Sequence, residues 1–426
     1  MAAGVRSGPF AGVTVLEIGQ YVAVPVAGMQ LANCGARVIK VEPPEGDPYR
    51  RHSQVAPGES RSYLTKNRGK ESVALRIGAD GSTEILRRLI SASDVLLTNM
   101  SRGALRRHGL DYESVRAANP AMIYGTISAL GNTGPEGGSP GMDVTAQARS
   151  GLLLALGAEA DGLPLHSEVQ AADYTASALL VAGVAAALYA RERTGAGQQV
   201  EVSLLGGALY LQGNALQHIP ALDDWRERFI TETLPRARSE GRGPAGIARL
   251  RGELRPDMNR SAYRIVRTAD GSVAIAAGGG GGRDRLLHAL GLDELAGTDV
   301  TADISAEVNA AFAARPTAHW LARLREADVA VAEVRHVDEL LFDDQAMAQR
   351  LIVDVQHDAV GAYRCFGVPF LLSGTPLTAD APSPGFARHT RSVLREIGFT
   401  DAEVRGLAEA GVVVLGEDAE VPGATN

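Results

Sequence analysis

A chain of 426 residues, 45% apolar and 22% charged, is too long for one compact core and too apolar for disorder, so two domains are expected. A net charge of −8 argues against a general nucleic-acid partner. Two cysteines, Cys34 and Cys365, lie far apart in apolar contexts, and nine histidines lack paired-ligand spacing, so neither a disulfide framework nor a metal site is expected. The N-terminus, Met-Ala-Ala-Gly-Val-Arg-Ser-Gly, has no long apolar core with a cleavage site, which points to a cytoplasmic protein without a membrane partner.

The first part of the chain alternates strand and helix. Val13 to Ile18 (VTVLEI) reads as a buried strand, and Pro25 to Asn33 as a short helix of small residues ended by Gly35. Arg37 to Glu42 (RVIKVE) is the next strand, stopped by Pro43-Pro44. Ser72 to Leu75 is a short strand, and Gly81 to Ala92 has helical spacing at Ile85, Leu86, Leu89 and Ile90. Strands at Asp94 to Thr98 and Met122 to Ser128 follow. Strands separated by helices predict a mostly parallel sheet covered on both faces, a Rossmann-like doubly wound α/β domain over 1–221. Such sheets bind ligands beyond the carboxyl ends of their strands. That rule puts Tyr21, Asn99 and the basic segment after Glu42 on the binding edge.

Gly131 to Gly141 is a Gly/Pro-rich loop, with helices expected at 143–156 and 173–193. The second opens on Asp173 and is apolar on every face, as a buried helix is. Its apolar stretch of about seventeen residues, interrupted by Thr175 and Ser177, falls slightly short of a bilayer span. A turn at Thr194-Gly-Ala-Gly and a strand Gln199 to Leu204 follow. Residues 222–262 are polar, arginine-rich and poorly periodic, a linker or excursion. A smaller α+β domain is expected over 263–345. It has two strands joined as a hairpin at Asp270-Gly271, five glycines at 278–282 and further helices. A last amphipathic helix is expected near 390–410.

Three features bear on chemistry, each with two readings. Asp173 sits on the positive end of its helix dipole, either as an N-cap or as a carboxylate nucleophile. Arg50, Arg51, Arg61, Lys66, Arg68 and Lys70 form one basic cluster, and Arg102, Arg106 and Arg107 another; each is a solvated face or a phosphate pocket. The glycine run is a flexible linker or a backbone that approaches a ligand. No phosphate-binding loop, Gly-x-Gly-x-x-Gly after the first strand, or Gly-x-Ser-x-Gly elbow occurs. The sheet therefore needs another kind of ligand.

A set of segments in chain order carries a resemblance. It comprises Gly35-Ala-Arg-Val-Ile-Lys-Val-Glu-Pro-Pro, Asn67-Arg-Gly-Lys-Glu-Ser-Val-Ala-Leu, Asp94-Val-Leu-Leu-Thr-Asn, Gly109-Leu-Asp-Tyr and Gly141-Met-Asp, then Asp173 with its helix, Arg191-Glu-Arg-Thr-Gly-Ala-Gly-Gln and Ser373-Gly-Thr-Pro. Together they resemble the class III coenzyme A transferases of the formyl-CoA and carnitine-CoA type, from about residue 10 to 400. The resemblance implies an interlocked homodimer, in which residues 346–426 return to complete the large domain. It implies an acyl-CoA thioester and a small carboxylic acid as substrates, with no permanently bound cofactor.

Residue by residue, Asp173 matches the family's catalytic carboxylate. Tyr21, Val22, Ala23, Met142, Gly279 and Gly280 match its acyl pocket and oxyanion contacts, the two glycines on a loop that closes over the intermediates. Asn99, Met100, Ala104 and Arg107 match positions that hold the nucleotide end of coenzyme A, and Lys70 lies near another. Val22 and Val24 stand where oxalate-using relatives carry a Gln and a Gly, which with Met142 and His166 suggests a less polar acyl pocket. Pro43 and Pro140 stand at or near an adenine-contacting Arg and a Lys, and Arg388 replaces a frequent Glu. The rival on the same scaffold is an α-methylacyl-CoA racemase, which carries a His in a Gly-His-Asp motif. Here that motif is Gly141-Met142-Asp143, and a thioether cannot shuttle protons. A non-catalytic coenzyme A-binding protein, with Asp173 only a cap, is the other alternative.

Overall fold

The alternating N-terminal half forms most of one seven-stranded sheet. Its strands are β1 (Thr14–Ile18), β2 (Arg37–Glu42), β3 (Lys70–Leu75), β4 (Val95–Thr98), β5 (Ile123–Ser128), β6 (Gln199–Ser203) and β7 (Val413–Val414). In space they run β6-β5-β4-β1-β2-β3-β7. All neighbours are parallel except β7, which lies antiparallel on β3. The structure is a computed structural model describing residues 7–157, 159–166, 168–255, 262–298 and 303–416.

The apolar runs bury both faces of the sheet, because successive side chains point to opposite sides. Val15, Val38, Val95 and Leu97 pack on one side with α1 (Ala23–Asn33), α2 (Asp143–Ser150) and α3 (Ala171–Thr194). Leu16, Ile39 and Leu96 pack on the other with Ile85, Leu86 and Leu89 of the helix Ser82–Ser91 and with C-terminal Val393, Leu394 and Val404. Each fully buried Leu or Ile contributes about 1.5–3 kcal/mol, so the two layers anchor the sheet.

Strand β1 has β2 on one flank and β4 on the other, so the connections leaving its carboxyl end diverge and open a crevice. Two loops are tied across it. The Gln20 N–H donates to Asn99 Oδ1 at 3.1 Å, and Asn99 Nδ2 donates to the Gln20 carbonyl at 2.9 Å.

By contacts the chain divides into two units, Met1–His218 with Asp344–Asn426, and Ile219–Asp343. In the first, the C-terminal segment is stitched onto the sheet. Gly69 N–H donates to the Pro382 carbonyl at 2.9 Å, and Ala387 N–H to Ser72 Oγ at 2.9 Å. A hairpin that periodicity did not reveal pairs Ile352–His357 with Gly361–Phe366. The expected helix at 390–410 is two, Thr390–Glu396 and Asp401–Glu409, interrupted at Gly398, whose φ of +93° a side chain rarely adopts.

Helix α3 departs from expectation in two ways. At 24 residues, Ala171–Thr194, it is long and apolar enough to cross a membrane by those measures alone. It also packs with one side only. Gly183 lets it lie on β6, where a Cβ would come within 2.5 Å of Val200, whereas Ala178, Ala182, Ala186 and Tyr189 stay exposed in this chain.

In the second unit, Tyr263–Arg267, Ser272–Ala276 and Ala330–Glu333 form an antiparallel sheet. Its core holds Val266, Val273, Ile275, Leu287, Phe312 and Trp320. The turn is a four-residue loop pinned by Asp270, whose Oδ1 accepts the Thr317 N–H at 2.7 Å. The stretch read as a linker is helical over Asp224–Arg228, Leu234–Ser239 and Pro244–Leu254, and 256–261 lie outside the described residues. Its buried stripe is only Trp225, Phe229 and Ala237, too sparse to register as periodicity.

Candidate active site

Asp173 lies in the first turn of α3, 8% exposed. It is not the helix cap. Gln170 holds that position and makes no side-chain cap bond. Asp143, arriving from α2, instead accepts the Asp173 N–H on Oδ1 at 3.0 Å. With the backbone amide served from outside, the Asp173 carboxylate is left over, and among the described residues neither of its oxygens accepts a hydrogen bond. It faces a cleft of about 820 Å³ at the crevice beyond β1. Burial, then the like charge of Asp143, push its carboxyl up to about 7, opposed by the Lys66 ammonium.

Asp143 is held in turn. Gln147 Nε2 donates to its Oδ2 and, at 3.1 Å, to the Val169 carbonyl, while Gln147 Oε1 is buried without a partner among the described residues. The start of α2 is closed by Thr145, whose Oγ1 accepts the Met142 N–H at 2.9 Å, leaving the Met142 side chain 50% exposed. Tyr21, which also lines the cleft, has a φ of +67°, a conformation that costs a non-glycine residue free energy. Its ring stands edge-on to Tyr49, centroids 5.5 Å apart, and Tyr49 Oη accepts from Gln170 Nε2 at 3.2 Å.

Of the residues singled out in the sequence, Tyr21, Val22, Ala23, Asn99, Met100, Met142 and Asp173 line this cleft, with Pro43 and Pro140. Others lie elsewhere. Val24 points into the core under the sheet and does not shape an acyl pocket. The Lys70 ammonium is buried, its protons engaged by Glu17, the Pro25 carbonyl and Asn67 at 2.7–2.9 Å, so none is left for a phosphate. Ala104 and exposed Arg107 sit on the short helix Arg102–Arg107, outside the cleft lining. His166 is exposed.

The first basic cluster fits neither of its readings as a whole. Arg50, Arg68 and Lys70 are interior, and Arg50 is bound by Glu42, Glu59 and Tyr63. Arg51 and Arg61 are exposed. From the second cluster Arg102 does line the cleft, its Nη1 donating to the Asn132 carbonyl at 2.9 Å. Two further basic groups there, Arg76 and His108, were not foreseen. Arg76 follows β3 directly, so the strand-end rule alone could have flagged it.

Gly279 and Gly280 belong to the second unit, where Gly279, Gly280 and Gly281 have φ of +75°, +50° and +74° before the helix Gly282–Leu290. Three consecutive left-handed residues need glycine. Among the described residues no group of three or more His, Cys, Asp or Glu could hold a metal ion.

The sequence profile of CoA-transferase family III matches residues 10–390. The chain is 31% identical to the succinate–glutarate CoA-transferase of Agrobacterium fabrum, covering 92% of this chain and 96% of that protein. It is 30% identical to the formyl-CoA:oxalate CoA-transferase of Streptomyces coelicolor, covering 94% and 98%. The crystal structure of a CAIB/BAIF family protein from Brucella suis superposes with a TM-score of 0.71 at 28% identity, over 92% of this chain and all of that one.

Proposed function

The chain belongs to CoA-transferase family III and is a CoA-transferase, and from that premise we propose that it moves coenzyme A between two carboxylic acids by way of covalent intermediates on Asp173. The observation that carries this reading is the Asp173 carboxylate itself. It is nearly buried, without a hydrogen-bond donor among the described residues, and open to a cleft large enough for a pantetheine arm.

In the first step an Asp173 oxygen attacks the donor thioester carbonyl. The C–S bond breaks, coenzyme A leaves as thiolate, and a mixed anhydride remains. The thiolate then attacks the Asp173 carbonyl, releasing the donor acid and leaving an aspartyl thioester. The acceptor carboxylate attacks that thioester, breaking its C–S bond to expel the thiolate and form its own anhydride with Asp173, and the thiolate then attacks the acceptor acyl carbonyl, releasing the aspartate carboxylate. A carboxylate is a competent nucleophile here because few groups solvate it.

Tyr21, Val22, Ala23, Met142 and Leu204 wall the cleft near Asp173, which supports acyl groups less polar than oxalate. Arg76, Arg102 and His108 line the same cleft and suit the phosphates of coenzyme A. The proposed assembly is an interlocked homodimer, whose partner would cover the apolar α3 face at Ala178, Ala182, Ala186 and Tyr189. In it, residues 1–221 and 346–426 would form the large domain and 263–345 the small one. A racemase needs a proton carrier opposite the aspartate, and Met142 offers none.

Incubation with an acyl-CoA and hydroxylamine should trap a hydroxamate on Asp173, read by peptide mass spectrometry. Asp173→Ala should abolish exchange while holding coenzyme A affinity within about tenfold. Retained turnover in that variant, or loss of α-stereochemistry without any adduct, defeats the proposal.

A further inference from the structure

We propose that Lys66 is the counter-ion of Asp173, a positioning residue that favours the charged form of the nucleophile; this rests on the reading of Asp173 as nucleophile. Buried lysines in this unit otherwise have local partners. Lys40 meets Glu17 and Asp47, both at 3.0 Å, and Lys70 meets Glu17 at 2.7 Å. Lys66 is 6% exposed, yet among the described residues it has no ion pair within 4.0 Å. Its Nζ has only the Ser62 carbonyl and Thr65 Oγ1, both at the 3.5 Å limit of a hydrogen bond. Burial lowers the pKa of so poorly served an ammonium, and the carboxylates that oppose this act through space, where the low-dielectric interior lets attraction carry further than in water.

The surroundings supply one. Lys66 Nζ sits 5.2 Å from the centre of the Tyr49 ring, a cation–π contact that fixes its place. Tyr49 is anchored to Gln170, the residue from which α3 starts, and to Tyr21 in the cleft wall. The acidic groups acting on Lys66 are Asp173 and Asp47. Asp47 is already committed to Lys40 and to the Tyr49 N–H, whereas the Asp173 carboxylate has no donor among the described residues. The charges that act on Asp173 are those of Asp143 from α2 and Lys66 from the turn after Arg61–Leu64, and the phenols of Tyr49 and of Tyr174 on its own helix feel the Asp173 charge in turn. Of these only Lys66 is a cation.

The inference predicts a signature that a packing role would not give. In Lys66→Met, the low-pH limb of hydroxamate formation should move up by about one pH unit, a roughly tenfold loss on the acid side with the alkaline plateau kept. Lys66→Arg should restore the limb. A plateau that falls while the limb stays in place, or an arginine variant as impaired as the methionine one, overturns the idea. Lys66→Gln serves if the methionine variant does not fold. A second measurement needs no turnover: the Asp173 carboxyl is titrated by infrared difference against Asp173→Asn, with and without Lys66→Gln. An unmoved titration overturns the Lys66 inference, whereas a wild-type enzyme that yields no hydroxamate overturns the nucleophile reading instead.

Discussion

Glu42 and Asp173 are both buried carboxylates of one unit, 1% and 8% exposed, yet they titrate at opposite ends of the range. Burial pushes Glu42 up, but Arg50 and then Lys40 outweigh it and hold the group down at about 2. Arg50 grips it with two bonds, at 2.7 and 2.9 Å, while Ser72, Tyr63 and the Asp47 N–H donate as well. Asp173 has burial without those donors and a neighbouring carboxylate besides, and stands at about 7. Depth does not separate a structural carboxylate from a chemical one. The partners do, and in the proposed function a carboxylate left short of donors keeps its lone pairs for a substrate.

The sharpest way to break the comparison is to give Glu42 the poverty of Asp173. Arg50→Met strands Glu42 and Glu59 together, and should cost about 3–5 kcal/mol, read from the urea midpoint. A loss below about 1 kcal/mol would mean that the network is not what holds this corner together.

Next in size is the reverse change, relieving Asp173. Its carboxyl is protonated more readily folded than unfolded, so its contribution is fully present below the ordinary value of 3.8 and is lost as pH rises through about 7. Asp173→Asn should therefore stabilise the protein at pH 8 by up to about 4 kcal/mol, and by little near pH 4. Glu59, which burial also raises to about 7, is present in both proteins and cancels. An equal effect at both pH values would show that the gain is not electrostatic.

The smallest expected effect lies at the exposed basic residues of the cleft. Arg102→Ala should raise the apparent KM for the CoA substrate two- to fivefold with kcat held, the ~0.5–1 kcal/mol of an exposed contact. Arg107→Ala, outside the cleft lining, should do less. The opposite order would restore Arg107 to the role that resemblance gave it.

Much of the sheet was legible. Strand β2 has the bounds read from RVIKVE, and β1, β4 and β5 begin within one residue of expectation, because a two-faced strand writes itself as a continuous apolar run. Strand β3 was read two residues short, since Lys70 and Glu71 look like surface until Glu17 and Arg37 pair with them. The hairpin at 352–366 and the helices at 224–254 were missed because their buried positions are few. Of the residues that line the cleft, Asp173, Tyr21 and Asn99 were singled out in the sequence, the first as an acid heading an apolar helix and the others by the strand-end rule. Lys66 and Lys70 looked alike in the sequence, four residues apart in one basic cluster, and only packing told them apart.

The sequence alone determined the layered α/β sheet, the strand-end edge where the cleft lies and the acidic head of the long apolar helix, since each depends on periodicity and order along the chain. Tertiary structure decided which charges cancel: Arg50 on Glu42, Lys70 on Glu17, Asp143 on the Asp173 amide, and none of these on the Asp173 carboxylate. Charge compensation depends on distances between residues far apart in the chain, and local pattern carries no record of them.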